Sequence, residues 1–245
     1  MLKIALIPPI NNLSYALQGD MLMALTQIVL KNKAYAKFYA DSEMYKILDN
    51  GAFEDELHSI KDVLKAAEII NANEIILPDV LFDKEKTLKA VDQALIYLNK
   101  NKLLDKYKLM AVPQGSTEDE WWECYEKLEI IPEVNVIGLS KLSCPKCFNN
   151  TVAKSRIHIT SMVSPMPDKE YHLLGGSFEV LEEVKSHPNW IRSIDTSAPF
   201  EFGKRRIYLD RAVKDYSGKA KLEIEVKKWN KSYVDINVKL LKAAL

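Results

Sequence analysis

The chain has 245 residues, of which 47% are hydrophobic, so it can bury one sizeable core without a metal ion or a disulfide. No apolar run approaches the about 18 residues of a membrane span, and the opening MLKIALIPPI lacks a cleavage-site pattern. We therefore expect no membrane association and no signal peptide, and the odd count of three cysteines suits a reducing compartment.

The formal net charge is zero, but the charge is unevenly distributed along the chain. Residues 141–161 contain four cations and no acid. Residues 203–245 contain twelve Lys and Arg against five Asp and Glu, a net charge of +7. Such segregation can create a phosphate-binding face on a neutral protein. Two solvated lysine-rich surfaces are the alternative explanation.

A unit recurs along the chain: a brief apolar run, a small or polar turn, and an amphipathic segment. The apolar runs, which we predict to be strands, are residues 3–7, 46–48, 74–77, 108–112, 135–139, 171–174 and 190–194. Apolar residues at i, i+3 and i+4 predict helices over residues 60–70 and 88–98. Residues 116–119 and the segment from residue 177 to residue 184 are typical of further helix starts.

Strands that alternate with helices imply parallel pairing and right-handed crossovers. Seven such units favour an α/β fold, a (β/α)8 barrel of the TIM type, with residues 35–39 or 200–202 as candidates for the eighth strand. A doubly wound open sheet is the alternative, although no Gly-rich dinucleotide motif follows the first strand. We predict the barrel over residues 1–205 and a basic extension packed on it over residues 206–245. In this extension, alternation predicts an edge strand at residues 222–226, and residues 238–245 suit a helix.

Almost every predicted strand ends in a polar residue or a glycine. These ends are Asp49-Asn50-Gly51, Pro78-Asp79, Pro113-Gln114-Gly115, Gly138, Gly175-Gly176 and Asp195-Thr196-Ser197. The carboxyl ends of barrel strands converge on one mouth, where barrel enzymes build their active sites. Any one aspartate can instead cap the next helix, and any one glycine can simply allow a positive φ. Together, however, these ends predict a common site.

The strand ends resemble, in order, the motifs of the tRNA-guanine transglycosylases. DNGAFE at residues 49–54 is similar to the family's DSGG-aromatic-Q motif, and LPD at residues 77–79 resembles its substrate-reading aspartate. VPQG at 112–115, IGLS at 137–140 and HLLGG at 172–176 resemble its VQGG, GLAVGE and LMGVG. SIDTSAPF at 193–200 stands where the family keeps its nucleophilic aspartate. The sequences of DNGAFE, VPQG and SIDTSAP are most similar to those of the phage and bacterial branch that inserts 7-deazaguanines into DNA.

The resemblance implies a role for each site residue. Asp195 is expected to be the nucleophile and Asp49 the general acid and base. The expected substrate-binding residues are Asp79, Gln114, Gly138, Phe53, Asn50, Leu174 and Gly175. The expected nucleic-acid-binding residues are Lys204, Arg205 and Arg206. Ordinary core packing is the alternative for Phe53 and Leu174.

The resemblance also implies partners: DNA and a free 7-deazaguanine of the preQ0 or preQ1 type, in the cytoplasm of a bacterium or a phage-infected host. The tRNA enzymes bind zinc through CxCxxC and a later His, whereas this chain has only Cys144-x-x-Cys147, so we expect neither a metal nor a cofactor. Alternatives are the same exchange on tRNA, an N-glycosidase, and a non-catalytic nucleic-acid-binding barrel. His172, the first residue of the HLLGG motif, is expected to be a packed residue or to support the site from behind.

Overall fold

The computed structural model describes residues 2–52, 59–213 and 222–245. These residues form eight parallel strands in one sheet. The strands are Lys3–Leu6 (β1), Leu22–Leu25 (β2), Lys46–Asp49 (β3), Glu74–Ile76 (β4), Lys108–Ala111 (β5), Val136–Ser140 (β6), Glu170–Leu174 (β7) and Ile191–Thr196 (β8). Their spatial order runs from β2 through β8 to β1, and a bridge between Ala5 and Met21 brings β1 back to β2. The predicted (β/α)8 TIM-type barrel is confirmed.

Helices follow the strands in alternation. The α-helices of the described residues are Thr26–Lys31 (α1), Lys33–Ala40 (α2), Ile60–Ile70 (α3), Lys84–Lys100 (α4), Glu118–Glu129 (α5), Ser143–Cys147 (α6), Val152–Met162 (α7), Val180–Ser186 (α8), Ala198–Lys204 (α9) and Lys231–Ala243 (α10). Short 3-10 helices span Ile10–Gln18, Leu104–Lys106, Leu209–Arg211 and Lys228–Asn230. No helix in this part of the chain has both the length and the apolar character that crossing a membrane requires.

Side chains of each strand alternate between two apolar layers, because successive residues of a strand point to opposite faces. Leu109 and Ile137 pack outward, in the large cluster between sheet and helices. Met110 and Val136 pack inward, in the cluster that fills the barrel, with Leu174 against it. The interior is therefore a packed core, and it forms a floor beneath the mouth.

The amino ends of the strands carry a layer of charged groups inside the barrel. Arg192 donates from Nη1 to Glu74 Oε2 and Glu170 Oε2, at 2.7 Å each. Tyr45 also donates to Glu74, and Lys108 pairs with Glu170 at 2.7 Å. Glu74 is completely buried, so these partners offset the cost of burying its charge. This layer lies at the end of the barrel opposite the mouth.

The eighth strand is β2, and both predicted candidates for it are wrong. Residues 35–39 lie in α2, whose start is capped by Asn32 Oδ1, which accepts from the backbone N–H groups of Ala34 and Tyr35. Residues 200–202 lie in α9, where Pro199 occupies the first turn. The strand was missed because only Thr26 and Gln27 interrupt the apolar residues of MLMALTQIVL, which continue from β2 into α1, and such a run does not distinguish a strand from a buried helix.

The C-terminal residues hold one confirmed and one wrong prediction. Residues 222–226 form turns rather than an edge strand, since only Leu222 and Val226 are buried and the three residues between them are exposed. The terminal helix is confirmed, and it begins earlier than predicted, at Lys231. α10 packs closely on α9, because a Cβ added at Gly203 would lie 2.4 Å from Val234 Cγ2.

Candidate functional site

A cavity opens at the carboxyl ends of the strands and encloses about 760 Å³, part of it in the open mouth. Seven of the residues singled out in the sequence line it: Asp49, Asn50, Asp79, Gln114, Leu174, Gly175 and Asp195. They come from the ends of β3, β4, β5, β7 and β8, which explains why residues up to 146 positions apart in the chain meet. Three carboxylates and two amides thus share one pocket.

Asp79 lies between two side-chain amides in the wall of this cavity. Its Oδ1 accepts from Asn50 Nδ2 and its Oδ2 from Gln114 Nε2, both at 2.6 Å. Asp79 is only 4% exposed. Burial raises the pKa of Asp79 to about 6, because desolvation disfavours its charged form more than the two amides favour it. Each oxygen keeps a second lone pair for a ligand donor.

Further hydrogen bonds fix the orientation of both amides. Asn50 Oδ1 accepts from the N–H of Ala52 at 2.9 Å, while its Nδ2 also donates to Leu77 O at 2.7 Å. Gln114 Oε1 accepts from the N–H of Phe82 at 3.1 Å. Phe82 has a φ of 64°, an uncommon conformation for a bulky residue. Both amides therefore present N–H groups to Asp79, and neither can be flipped without losing two bonds.

Asp195 is held at the end of β8 by two donors on one of its oxygens. Oδ1 accepts from the backbone N–H of Gly175 at 2.8 Å and contacts His172 Nε2 at 3.1 Å. Asp195 is 5% exposed and lines the cavity. Within the described ranges, Oδ2 accepts no hydrogen bond. Oδ2 is thus the oxygen that can meet a reacting atom.

Asp49 ends β3 on the same rim. Its Oδ1 accepts from the N–H of Gly51 at 3.1 Å, and its carbonyl oxygen accepts from Thr26 Oγ1 at 2.5 Å. Gly51 has a φ of 84°, which a glycine adopts without strain and which lets the chain turn away from the strand. Asp49 is half-buried, in contrast to Asp79, so two carboxylates of the cavity lie in different environments.

Gly138, another predicted substrate residue, is placed differently. Gly138 lies in the middle of β6 and is not part of the cavity wall. A Cβ there would lie 2.7 Å from Leu174 Cδ1 and 2.9 Å from Met110 Sδ, so the glycine gives Leu174 room to form the floor. Phe53 lies outside the described residues.

The predicted nucleic-acid-binding residues lie at the end of α9, where Arg205 and Arg206 are exposed. Asn230 Nδ2 donates to Lys204 O at 2.5 Å, which brings this end next to the segment before α10. In that segment, Trp229 is 60% exposed, with Lys227 Nζ 5.0 Å from its ring centre. We call these residues together the basic face: Arg205, Arg206, Lys227, Lys228, Trp229 and Lys231. The side chain of Lys204, by contrast, is largely buried and pairs with Glu201 Oε1 at 2.8 Å.

Two cations of residues 141–161 have roles that sequence reasoning missed. Lys141 follows β6 directly and lines the cavity, where its side chain packs beside Gly175. Arg156 is completely buried and pairs with Glu183 Oε1 at 2.6 Å. Arg156 therefore contributes nothing to a phosphate-binding surface, contrary to the charge count. The sequence gives no indication of this ion pair, because Glu183 lies 27 residues after Arg156 in the chain.

Cys144 and Cys147 are buried on α6. Cys147 Sγ donates to Gly115 O at 3.0 Å, and burial raises the pKa of both thiols. In the part of the chain that the structure describes, no three His, Cys, Asp or Glu side chains are grouped so that they could hold a metal ion. The two thiols therefore serve as buried contacts of α6 with the barrel.

A scan against protein-family models found no match, and a search of the curated proteins found no significant match.

Proposed function

We propose that this protein exchanges guanine in DNA for a free 7-deazaguanine base, through a covalent ester between Asp195 and the sugar of the nucleotide. One observation carries the proposal: a single cavity contains the buried, amide-bound Asp79 together with Asp195 and Asp49. Asp79 suits recognition of a base, and the other two suit glycosidic chemistry.

Recognition of the base follows from hydrogen-bonding capacity. Guanine and 7-deazaguanine present N1–H and N2–H donors side by side, next to the O6 acceptor. Ionised Asp79 offers one remaining lone pair on each oxygen to these donors, and Gln114 has a second Nε2–H that can donate to O6. Bases without this edge leave buried polar groups unpaired, which is costly.

The exchange proceeds by two displacements at C1′. In the first, Asp195 Oδ2 forms a bond to C1′ while the bond from C1′ to N9 breaks, and the electron pair leaves with guanine, which takes a proton from Asp49. In the second, N9 of the incoming base attacks C1′, the ester bond breaks, and its electron pair returns to Asp195. Asp49 then takes the N9 proton, so the enzyme is regenerated.

A nucleic acid as the acceptor is supported by the basic face, and the similarity of the motifs to the branch that modifies DNA favours DNA over tRNA. C1′ cannot be reached inside a duplex, so the nucleotide must be flipped out or single-stranded. The exposed cations of the basic face can neutralise phosphates, and exposed Trp229 can stack on an unpaired base. Lys141 in the cavity wall is suited to a phosphate next to the target nucleotide.

Nucleoside mass spectrometry tests the proposal. DNA and tRNA are each incubated with the protein and isotopically labelled 7-cyano-7-deazaguanine or its 7-aminomethyl counterpart, then digested to nucleosides. We expect label in deoxynucleosides, none in tRNA, and none with Asp195→Ala. The matched control is Asp92→Ala, which removes an exposed carboxylate on α4 and should retain exchange. Label in tRNA alone would contradict the acceptor, and guanine release without incorporation would indicate an N-glycosidase.

A further inference from the structure

Asp195 is in contact with a histidine that the exchange chemistry does not use directly. His172 lies on β7, opposite Ser193 in the register with β8, and is completely buried. Its Nδ1 lies 2.7 Å from Ser193 Oγ, and its Nε2 lies 3.1 Å from Asp195 Oδ1. The ring thus connects two residues of the same strand, one of which lines the cavity.

A bulge in β8 creates this arrangement. The pairing steps from Tyr171 with Ile191 to His172 with Ser193, so Arg192 is an extra residue of β8. Bulges re-aim side chains next to active sites. Here Arg192 reaches inward to Glu74, and its Nε donates to Ser193 Oγ at 2.9 Å. The bulge therefore links the charged layer at the closed end of the barrel to His172.

The bonding partners determine the proton positions. Arg192 can only donate, so Ser193 Oγ accepts from it and keeps its own proton for His172 Nδ1. His172 Nε2 faces a carboxylate oxygen and must therefore carry the ring proton. The charged groups that face the ring are Asp195, Arg192 and Glu74. Burial, together with Arg192, outweighs the two carboxylates and lowers the pKa of His172, so the ring is neutral at neutral pH. Arg192 thus donates to Ser193, and Ser193 donates to His172. His172 in turn donates to Asp195.

We propose that His172 is a positioning residue, whose neutral imidazole donates from Nε2 to Asp195 Oδ1 and so presents Oδ2 to the sugar. Together with the N–H of Gly175, it places two donors on one oxygen. That oxygen becomes the carbonyl oxygen of the ester and keeps both bonds. When the ester breaks, the same donors stabilise the returning negative charge, as preorganised donors do at developing oxyanions.

The hydrogen-bond assignment is independent of the reaction, whereas the kinetic role rests on the proposed function. The assignment is tested by 15N NMR of the histidine rings in the intact protein, with His172 identified by its absence in His172→Gln. We expect a neutral ring protonated at Nε2 at neutral pH. Protonation at Nδ1 alone, or a ring protonated on both nitrogens, would overturn the proposal. An Nε2-protonated ring in a protein without exchange activity would contradict the proposed function and support the assignment.

The kinetic role is tested by comparing His172→Phe, which removes the donor, with His172→Gln, whose amide N–H can replace it. We expect kcat to fall roughly 10- to 100-fold in His172→Phe, as for a lost hydrogen bond to a charged group, with KM for DNA unchanged. His172→Gln should recover most of that loss. His158→Phe, on the exposed side of α7, is the matched control and should behave as wild type. Wild-type kcat in His172→Phe, or an equal loss in both variants, would overturn the role.

Discussion

The carboxyl of Asp79 lies between two amides in a buried position, and burial raises its pKa to about 6. A raised pKa means that the protonated form predominates below about pH 6 and the ionised form above it. Only the ionised form has an acceptor for each of the two donors of a guanine-like edge. We therefore expect affinity for the free base to increase as the pH rises through 6.

Isothermal titration calorimetry with 7-cyano-7-deazaguanine between pH 5 and pH 8 measures this effect. At pH 5 about a tenth of Asp79 is ionised, so Kd should be roughly tenfold higher than at pH 8. Asp79→Asn cannot ionise, and its Kd should be higher and constant with pH. A constant Kd in the wild-type protein over this range would mean that Asp79 does not bind the base in its ionised form.

The positions of the cavity residues were predictable, but their mutual contacts were not. Asp49, Asp79 and Asp195 each follow an apolar run, and barrel geometry alone brings such residues to one mouth. The roles of His172 and Arg156 depend on partners 21 to 27 residues away on neighbouring elements. Alternation predicts that His172 faces inward, but only the bulge in β8 decides what it meets.

At the scale of elements, Arg156 joins the ends of two strands to the helices outside them. Its Nη1 donates to Leu139 O at 3.0 Å and to Leu174 O at 2.9 Å, and its Nη2 donates to Gly175 O at 3.0 Å. Because Gly175 in turn donates to Asp195, this guanidinium positions one wall of the cavity.

Arg156→Met should destabilise the protein by about 3–5 kcal/mol, because Glu183 is then left buried without its cation. Urea unfolding followed by circular dichroism measures the change. Arg156→Met with Glu183→Leu should lose less stability than Arg156→Met alone, since no charge remains unpaired. Lys37→Met, in a pair with Asp41 whose side chains are 75% and 60% exposed, is the control and should change stability by less than about 1 kcal/mol. Equal effects of Arg156→Met and Lys37→Met would contradict this role of the buried pair.

Seven of the eight strands were predictable because apolar runs bounded by turns are typical of strands buried on both faces. Prediction failed where no turn residue in the sequence separates one element from the next. β2 continues into α1 with only Thr26 and Gln27 between their apolar residues. The aromatic residues within 35–39 favour a strand by composition, whereas Asn32 caps a helix there. The alternation at residues 222–226 failed for another reason: Ile224, which a strand would place on the same face as Leu222 and Val226, is exposed.

For the molecule as a whole, the net charge of zero conceals a local concentration of cations in the basic face. The basic face lies beside β8, whereas β4 and α4 lie on the other side of the barrel, four strands away. DNA should therefore bind one side of the rim only. The combined variant Arg205→Gln, Arg206→Gln, Lys227→Gln, Lys228→Gln should weaken DNA binding while leaving the affinity for the free base unchanged.

The salt dependence of binding distinguishes phosphate contacts from other effects. The association constant for DNA is measured by fluorescence anisotropy at several salt concentrations. Each phosphate contact that is lost should make the negative slope of log K against log salt shallower by about 0.7 to 0.9. Lys89→Gln with Lys100→Gln, two exposed lysines of α4, is the control and should keep the wild-type slope. An unchanged slope in the fourfold variant would mean that the basic face does not contact DNA phosphates.

The proposed exchange depends on a covalent ester between Asp195 and the sugar of the nucleotide. Wild-type protein is incubated with DNA in the absence of an incoming base, denatured and digested, and the peptides are analysed by mass spectrometry. The account predicts a deoxyribose-containing adduct on the peptide with Asp195, absent in Asp195→Asn and lost when 7-deazaguanine is added before denaturation. Exchange without any such adduct, or an adduct on Asp49 instead, would contradict it.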